Sequence, residues 1–378
     1  MRNTRYRKYL YILLFIIAAL LVVAFVMSKA ATEETMRQNK KHKSNREPVQ
    51  QSSADIETAY LKEKNADTDT YYVCPCGYPI GIYVKTEGVM VINTGSFRCI
   101  DNTVQSPCEG ILQQGDYIIS INGTKLKDKK DLMEIVANCQ GSPLDVYIMR
   151  DGEKMNVRLL PKQNEDGNYM LGLWIKDDIS GIGTLTYIDE NGFAALGHSI
   201  NDNDTGEMFV ISDGAIYEAQ LLRIVKSDGE HAGRLEGLID YQKAYMLGRV
   251  SNNSSTGIKG TLTGLGKKRL MSDNWMPVAT ASEVHTGDAQ ILSWVSGEPL
   301  YYDIEITNVN VSNMSNKTGK NLEIKITDSK LLSMTNGIVQ GLSGTPILQD
   351  GKLVGAITHV FIKDSTMGYG ILAENMIK

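Results

Sequence analysis

The C-terminal part of the chain, from about residue 171 to residue 378, consists of short β-type segments separated by Gly, Asn and Asp. This pattern restricts the fold more than any other feature. Short strands separated by turn residues are typical of a β-sandwich or of paired β-barrels. Strands and helices do not alternate, which argues against an α/β fold. The predicted strands cover residues 183–188, 208–212, 215–224, 245–250, 260–265, 322–327, 352–360 and 369–372.

Residues 341–347 read Gly-Leu-Ser-Gly-Thr-Pro-Ile, a segment typical of a serine nucleophile held in a loop of backbone donors. A serine hydroxyl attacks a carbonyl group only if a base takes its proton and donors hold the oxygen that becomes negative. Because Gly-x-Ser-Gly allows a tight turn, we expect the amides of Gly341 and Ser343 to form an oxyanion hole. The competing interpretation is an ordinary turn, since short motifs recur by chance.

The same loop distinguishes between classes of serine hydrolase. The nucleophile of an α/β-hydrolase lies in a Gly-x-Ser-x-Gly elbow that leads into a helix. Here Ser343 is followed by Pro346 and by a hairpin turn at residues 349–351. The sequence therefore excludes the α/β-hydrolase class and favours a serine peptidase of the trypsin type.

The best candidate for the base is His198, in the segment Ala-Ala-Leu-Gly-His-Ser-Ile at residues 194–200. It would take the proton of Ser343 and return it to the leaving amine. His359 lies in an apolar strand, where a histidine is more often packed than catalytic. The other histidines, at positions 42, 231 and 285, lie in polar segments or turns. A carboxylate should hold the second ring nitrogen of the base, and the residues alone leave Asp202, Asp204, Asp328 and Asp350 as candidates.

The N-terminus has the pattern of a membrane anchor. Four basic residues between positions 2 and 8 precede an uncharged apolar run over residues 9–27, which is long enough to cross a bilayer. Basic residues stay on the cytoplasmic side, so the body of the protein should lie outside the cytoplasm. A signal peptide cleaved near residues 28–30 is the alternative. We therefore expect a basic tip and single-pass anchor over residues 1–30, followed by a polar stalk over residues 31–70.

Charge and cysteine content restrict the partners. The net charge of −5, without a basic patch, gives no support for nucleic-acid binding. Five cysteines, an odd number, lie at positions 74, 76, 99, 108 and 139. They include no Cys-x-x-Cys pair and no neighbouring histidine, so buried thiols or one local disulfide are favoured over a metal site. We expect no metal and no cofactor.

Residues 71–165 resemble a PDZ domain. The similarity rests on Gly-Asp-Tyr-Ile-Ile-Ser-Ile-Asn-Gly at 115–123, a helix over 128–138 and paired strands at 144–150 and 154–160. In that family an apolar loop holds the terminal carboxylate of a peptide, which adds a strand to the sheet edge. The resemblance assigns this loop to Tyr78, Pro79, Ile80 and Gly81. A PDZ fold with a blocked ligand site is the alternative.

The whole layout is similar to the SpoIVB peptidase family (stage IV sporulation protein B). The similarity rests on the anchor and PDZ domain, on Ala-Leu-Gly-His-Ser-Ile at 195–200, and on Gly-Ile-Val-Gln-Gly-Leu-Ser-Gly-Thr-Pro-Ile at 337–347. By this resemblance the chain is mainly β, with a chymotrypsin-type β-barrel serine peptidase domain over residues 166–378. The resemblance assigns the catalytic triad to Ser343, His198 and Asp328. Leu342 and Thr345 depart from the usual serine loop of the family without removing a catalytic atom.

The resemblance also implies a function, that of a serine endopeptidase in sporulation signalling. Such a protein would face the space between the two forespore membranes and cleave a membrane-bound regulator, and also itself. This cleavage would trigger intramembrane proteolysis and the activation of a late mother-cell sigma factor. Its partners would be the membrane, that protein substrate, and a PDZ-bound peptide or C-terminus, its own among the candidates.

Two alternative functions remain at this stage. The first is a PDZ adaptor with an inactive peptidase-like domain. The second is a quality-control protease of the periplasmic heat-shock type. Those proteases carry the catalytic domain before the PDZ domain, which is the reverse of the order in this chain.

Overall fold

The computed structural model describes residues 70–228, 231–310 and 319–377. The anchor predicted over residues 1–30 lies outside these ranges, as does nearly all of the predicted stalk. None of the helices within these ranges combines the length and the hydropathy needed to cross a membrane.

The strands are, in chain order, β1 (Tyr72–Thr94), β2 (Phe97–Arg98), β3 (Val104–Gln105), β4 (Tyr117–Ile121), β5 (Thr124–Lys125), β6 (Leu144–Arg150), β7 (Glu153–Leu159), β8 (Lys162–Gln163), β9 (Tyr169–Met170), β10 (Leu173–Ile188), β11 (Phe193–Ala195), β12 (Ile211–Val225), β13 (Arg234–Ile239), β14 (Met246–Ser254), β15 (Gly257–Leu262), β16 (Met276–Pro277), β17 (Gly287–Ser293), β18 (Leu300–Val309), β19 (Leu322–Ile326), β20 (Pro346–Gln349), β21 (Lys352–Val360) and β22 (Met367–Leu372). The α-helices are α1 (Lys129–Ala137), α2 (Gly264–Leu270), α3 (Ser329–Thr335) and α4 (Ala373–Ile377). The protein is mainly β, as predicted.

A first barrel is closed by antiparallel pairing in the order β1, β10, β11, β15, β14 and β12, with β12 pairing back onto β1. Its interior is filled by buried aliphatic side chains such as Ile80, Leu185 and Ile216. Since every strand of the ring pairs on both sides, the ring has no free strand edge where it closes.

A second closed barrel contains β17, β18, β19, β22, β21 and β20, in that order. Its β18 shows why these residues form a barrel wall: Tyr302, Ile304 and Ile306 are buried, while the residues between them face outward. The strands β17 and β18 are missing from the sequence prediction, although buried and exposed residues alternate along most of β18.

A smaller unit is inserted into the pair of β1 and β10, and we call residues 87–177 the inserted unit, which includes the end of β1 and the start of β10. The last part of β1 pairs with β4, which continues through β6 to β7, and α1 covers the sheet. The predicted helix is confirmed, with the carboxylate of Asp128 accepting from the amides at its N-terminus. The predicted turn at Asn122-Gly123 is confirmed by positive φ angles of 50° and 77°.

The structure corrects the domain boundary predicted at residue 71. Residues 80–86 of β1 pair with β12 as well as with β10, so they are a wall of the first barrel and not part of the inserted unit. The first barrel is thus built from chain segments on both sides of the inserted unit, and both β1 and β10 run through the two units without a break.

Candidate active site

His198 and Ser343 line one pocket, with a volume of about 530 Å³, although they lie 145 positions apart in sequence. His198 follows the short strand β11 of the first barrel, and Ser343 precedes β20 of the second. The pocket walls are mainly apolar and include Ile82, Ile182 and Ile338. Two loops that each follow or precede a barrel strand therefore bring the predicted base and nucleophile to the same cavity.

The side chain of Ser343 is partly exposed to the pocket, and its Oγ donates a hydrogen bond to the carbonyl of Thr358 at 2.8 Å. This carbonyl is available because a register shift between Ile357 and His359 leaves Thr358 out of the ladder with β22. The described hydrogen bonds of Ser343 do not include one to His198. The hydroxyl must therefore turn away from Thr358 before His198 can take its proton.

The carbonyl groups of the serine loop accept hydrogen bonds from neighbouring residues. The carbonyl of Gln340 accepts from the amide of Leu235 at 2.8 Å, and that of Leu342 accepts from the amide of Thr345 at 3.0 Å. The neighbouring amides of Gly341 and Ser343 donate to no acceptor among residues 70–228, 231–310 and 319–377. Two free amides, one at the nucleophile and one two residues before it, are suited to hold an oxyanion.

The histidine loop is held in a strained conformation. Leu196 and Gly197 have φ angles of 72° and 73°, in the left-handed region that a leucine rarely adopts. Gly344 of the serine loop lies against this loop, and a Cβ atom there would meet the backbone N of Leu196 at 2.5 Å and the backbone O of Thr184 at 2.2 Å. Only glycine can therefore occupy position 344 at this close approach of the two loops.

The ring orientation of His198 is set by a backbone carbonyl. Its Nδ1 lies 2.8 Å from the carbonyl of Ser199. A carbonyl can only accept, so Nδ1 carries the proton and Nε2 is the free acceptor. Burial lowers the pKa of His198 below its usual value, and the Ser199 carbonyl only partly opposes this effect. The neutral imidazole is thus the form ready to act as a base.

A second histidine, His359, lines the same pocket, and its ring centroid lies 5.0 Å from that of His198. Loss of hydration lowers its pKa, and the nearby His198 and Lys320 charges lower it further, although part of the residue stays exposed. Two rings that both disfavour a positive charge keep this end of the pocket neutral.

The structure places the predicted triad carboxylate elsewhere. Asp328 precedes α3, and its Oδ1 accepts from the amide of Leu331 at 2.8 Å, as a helix N-cap does. Asp328 is not among the residues that line the pocket of His198 and Ser343. In this arrangement the Asp328 carboxylate serves as a helix cap, and its assignment as the partner of His198 stays a prediction.

The other aspartate candidates are also engaged away from His198. The buried carboxylate of Asp202 binds Lys176 and accepts from the amides of Asp204 and Thr205. Burial raises the pKa of Asp202, but these donors outweigh it and lower the pKa overall. Asp202 thus ties the loop after His198 to β10. Asp350 accepts from Nε2 of His285 at 2.9 Å on the surface of the second barrel.

The predicted carboxylate-binding loop is also corrected. Tyr78, Pro79, Ile80 and Gly81 lie within β1, paired to β10 along the segment and to β12 from Ile80 onward. A strand inside a closed barrel has no free edge for a peptide to join. Residues with free backbone groups lie instead on β10 near its start, where Leu173–Lys176 pair with β1 and with no other strand in the part of the chain that the structure describes.

All five cysteines lie within the described residues and are free thiols, four of them buried. The local disulfide considered for them is therefore absent. Among the described residues, no group of three His, Cys, Asp or Glu side chains is arranged to hold a metal ion.

Three groups at the site escaped the sequence analysis: the carbonyls of Ser199 and Thr358, and the side chain of Thr184. The first two are backbone groups, whose positions cannot be recognised from residue types. Thr184 lies in an ordinary strand pattern, and its Oγ1 donates to the carbonyl of Gly341 at 2.7 Å, across the junction of the two barrels. A contact between residues so far apart in sequence has no local signal.

The chain was compared with known families and solved structures. The sequence profile described as SpoIVB peptidase S55 matches residues 167–377. Among solved structures, the PDZ domain of an SdrC-like protein from Listeria monocytogenes is 18% identical, with 24% of this chain and 90% of that chain covered at a TM-score of 0.20. The inactive form of the protease Rv3671c, of M. tuberculosis, is 14% identical, with 52% of this chain and 81% of that chain covered at a TM-score of 0.28. An HtrA-type protease AlgW variant with decapeptide is 12% identical, with 80% of this chain and 61% of that chain covered at a TM-score of 0.32.

Proposed function

The chain belongs to the SpoIVB peptidase S55 family and is a serine endopeptidase, and we propose that it uses Ser343 and His198 to cleave a membrane-bound regulator of sporulation. The observation that carries the residue assignment is the pocket that both side chains line, beside the free amides of Gly341 and Ser343. The two closed six-stranded barrels, with the pocket between them, support a chymotrypsin-type arrangement.

In the proposed reaction, Oγ of Ser343 attacks the scissile carbonyl carbon while Nε2 of His198 takes the hydroxyl proton. The carbonyl oxygen becomes negative and is held by the amides of Gly341 and Ser343. His198 then gives the proton to the departing amine, which leaves an acyl group on Ser343. Water, activated by the same imidazole, releases the acyl group and restores the serine.

Substrate binding would prepare the nucleophile. In the resting arrangement the hydroxyl of Ser343 is bonded to the carbonyl of Thr358. A substrate backbone that lies along this end of β21 can offer its own N–H to that carbonyl. The hydroxyl is then released and can turn to His198. We propose that this exchange keeps the enzyme slow until an extended chain occupies the pocket.

The pocket favours an apolar substrate side chain. Eight aliphatic side chains line it beside neutral polar ones, and no Lys, Arg, Asp or Glu side chain of the described residues does so. A charged side chain would lose its hydration there without gaining a partner. We propose that the substrate presents an apolar residue next to the scissile bond.

The inserted unit would act as a PDZ domain that binds an extended peptide. The support is the free edge of β10 at Leu173–Lys176, with the apolar face of α1 packed nearby through Leu132 and Val136. The chain's own residues Ala373–Ile377 are packed elsewhere, since Tyr187 donates to the carbonyl of Met376. The peptide ligand would therefore come from another protein, or would require α4 to leave its place.

The cellular role remains a proposal that rests on the family and on the N-terminal sequence. Residues 9–27 would anchor the protein, with the body between the two membranes around the forespore. Cleavage of the regulator there would trigger intramembrane proteolysis and activate a late mother-cell sigma factor. Self-cleavage would accompany it.

The test is covalent labelling of the full-length protein with a fluorophosphonate probe, followed by mass spectrometry of the adduct. We expect the adduct on Ser343, and none in the Ser343→Ala or His198→Ala variants. His285→Ala is the matched control, because His285 is exposed, lies outside the pocket and should not affect labelling. Labelling of His198→Ala at the rate of the control would contradict the role of His198.

A further inference from the structure

Thr184 contacts both loops that carry the proposed catalytic residues. It lies near the end of β10 and is 2% exposed. Its amide donates to the carbonyl of Ser343 at 3.0 Å, and its hydroxyl donates to the carbonyl of Gly341 at 2.7 Å. Its own carbonyl accepts from the amide of Leu196 at 3.2 Å. All three polar groups of one buried residue are therefore committed to the junction of the two barrels.

The two bonds to the serine loop act on its peptide planes. The bond to the Gly341 carbonyl fixes the plane between residues 341 and 342, and the bond to the Ser343 carbonyl fixes the plane between residues 343 and 344. The plane between them carries the Ser343 amide, one of the two free donors. Because the planes on both sides are fixed, this amide has little freedom to turn away from the pocket.

The bond to Leu196 acts on the histidine loop. Leu196 has a φ angle of 72° and lies two residues before His198. Such a strained conformation persists only where the surroundings fix it, and the Thr184 carbonyl is one of the groups that do so. The same residue thus sets the position of the serine loop relative to the histidine loop.

We propose that Thr184 is a positioning residue for peptide cleavage, which holds the oxyanion amides and the histidine loop in register through its hydroxyl and backbone. This inference rests on the proposed function of Ser343 and His198. Thr184 does not touch the substrate. Loss of its hydroxyl leaves the partly buried Gly341 carbonyl without this donor, and the peptide plane between residues 341 and 342 can then turn.

Two substitutions isolate the hydroxyl. Thr184→Val keeps the size and branching of the side chain and removes the donor, while Thr184→Ser keeps the donor. Thr186→Val is the matched control, because Thr186 lies on the same strand, is fully buried, and its hydroxyl has no partner within the described part of the chain. All three variants retain the backbone bonds of β10.

The measurement is the rate of fluorophosphonate labelling of the full-length protein, separated into the maximal rate constant and the half-saturating probe concentration. We expect Thr184→Val to lower the maximal rate constant about 10- to 100-fold, with little change in half-saturation. Thr184→Ser and Thr186→Val should stay within about threefold of the parent protein. A purely structural role of the Thr184 hydroxyl would lower the folded, labelled fraction of Thr184→Val and leave the maximal rate constant of that fraction unchanged.

Three outcomes decide between the inferences. If Ser343→Ala is unlabelled and Thr184→Val is labelled as fast as Thr186→Val, the role of Thr184 is wrong and the proposed function stands. If the parent protein is unlabelled, or Ser343→Ala is labelled normally, the proposed function fails. Hydrogen exchange of the segment 338–345 then still tests Thr184: we expect faster exchange in Thr184→Val than in Thr186→Val, and equal exchange would overturn the inference.

Discussion

His198 differs from the base of a complete triad in the group that holds its second ring nitrogen. The acceptor is the neutral carbonyl of Ser199, and no carboxylate of the described residues takes its place. A carbonyl orients the ring and selects the tautomer, but it stabilises the imidazolium less than a carboxylate does. Burial is the main cause of the lowered pKa of His198, and the hydrogen bond to the Ser199 carbonyl offsets it only in part.

The pH dependence of labelling follows from this pKa. The base must be neutral, and an ordinary histidine becomes neutral above about pH 6.5. A lowered pKa keeps the imidazole neutral at lower pH, so we expect the acidic limb of the labelling rate of Ser343 to lie below pH 6.5. The measurement is the second-order rate constant for fluorophosphonate between about pH 4 and pH 9.

His285→Ala is the control for this profile. The pKa of His285 is raised by the carbonyl of Thr286 and by Asp350, so any titration it contributes would appear above that of an ordinary histidine. We expect its removal to leave the acidic limb unchanged. An acidic limb at or above pH 6.5 in the parent protein would show that the environment of His198 stabilises its charged form.

At the scale of the element, α3 depends on Asp328 for its start. The helix is only seven residues long, and the carboxylate of Asp328 satisfies an amide of its first turn. Asp328→Ala should lower the free energy of unfolding by about 1 kcal/mol, whereas Asp328→Asn should change it little, because asparagine caps equally well. Urea unfolding of the full-length protein measures both.

The asparagine variant also separates the cap from catalysis. It keeps the helix start and removes the negative charge, so a role confined to the cap predicts normal labelling of Ser343. A variant of unchanged stability that is labelled about 10⁴-fold more slowly would instead place the Asp328 carboxylate in the triad.

Local elements were predictable where their signals are local. The Asn122-Gly123 turn has the two positive φ angles that this dipeptide favours. Helix α1 starts at Asp128, as its apolar spacing and cap residue indicate. The segments around His198 and Ser343 were recognisable because glycines at loop turns and a nucleophile motif stand out. The two segments come together in one pocket only when both barrels close, and no short segment of sequence predicts that closure.

The position of β1 was not predictable, for a physical reason. Residues 78–86 form an apolar strand, and such a strand suits the edge of a PDZ sheet or the wall of a barrel equally well. Its partners in β10 and β12 lie about 100 residues or more further along the chain. The resemblance to a PDZ domain assigned this strand to the inserted unit, whereas its long-range pairing with β10 and β12 makes it part of the first barrel.

At the scale of the whole molecule, the barrel needs both segments that flank the inserted unit. A fragment that begins at residue 166, the boundary expected from sequence, lacks β1 and with it one of the six walls of the first barrel. The neighbouring strands β10 and β12 would each expose an unpaired edge and the side chains that packed on Ile80 and Val84. We expect this fragment to show no cooperative unfolding transition for the first barrel.

An internal deletion should behave in the opposite way. Lys85 and Asp178 are directly paired across β1 and β10, so an Asn-Gly turn can join them when residues 86–177 are removed. The ring of six strands is then intact, and we expect a cooperative transition in urea and a near-ultraviolet circular dichroism spectrum typical of packed aromatic side chains. Both variants carry the complete second barrel, so differences between them report on the first. If the fragment from residue 166 unfolded cooperatively as two barrels, or the internal deletion failed to, the first barrel would not be assembled from segments on both sides of the inserted unit.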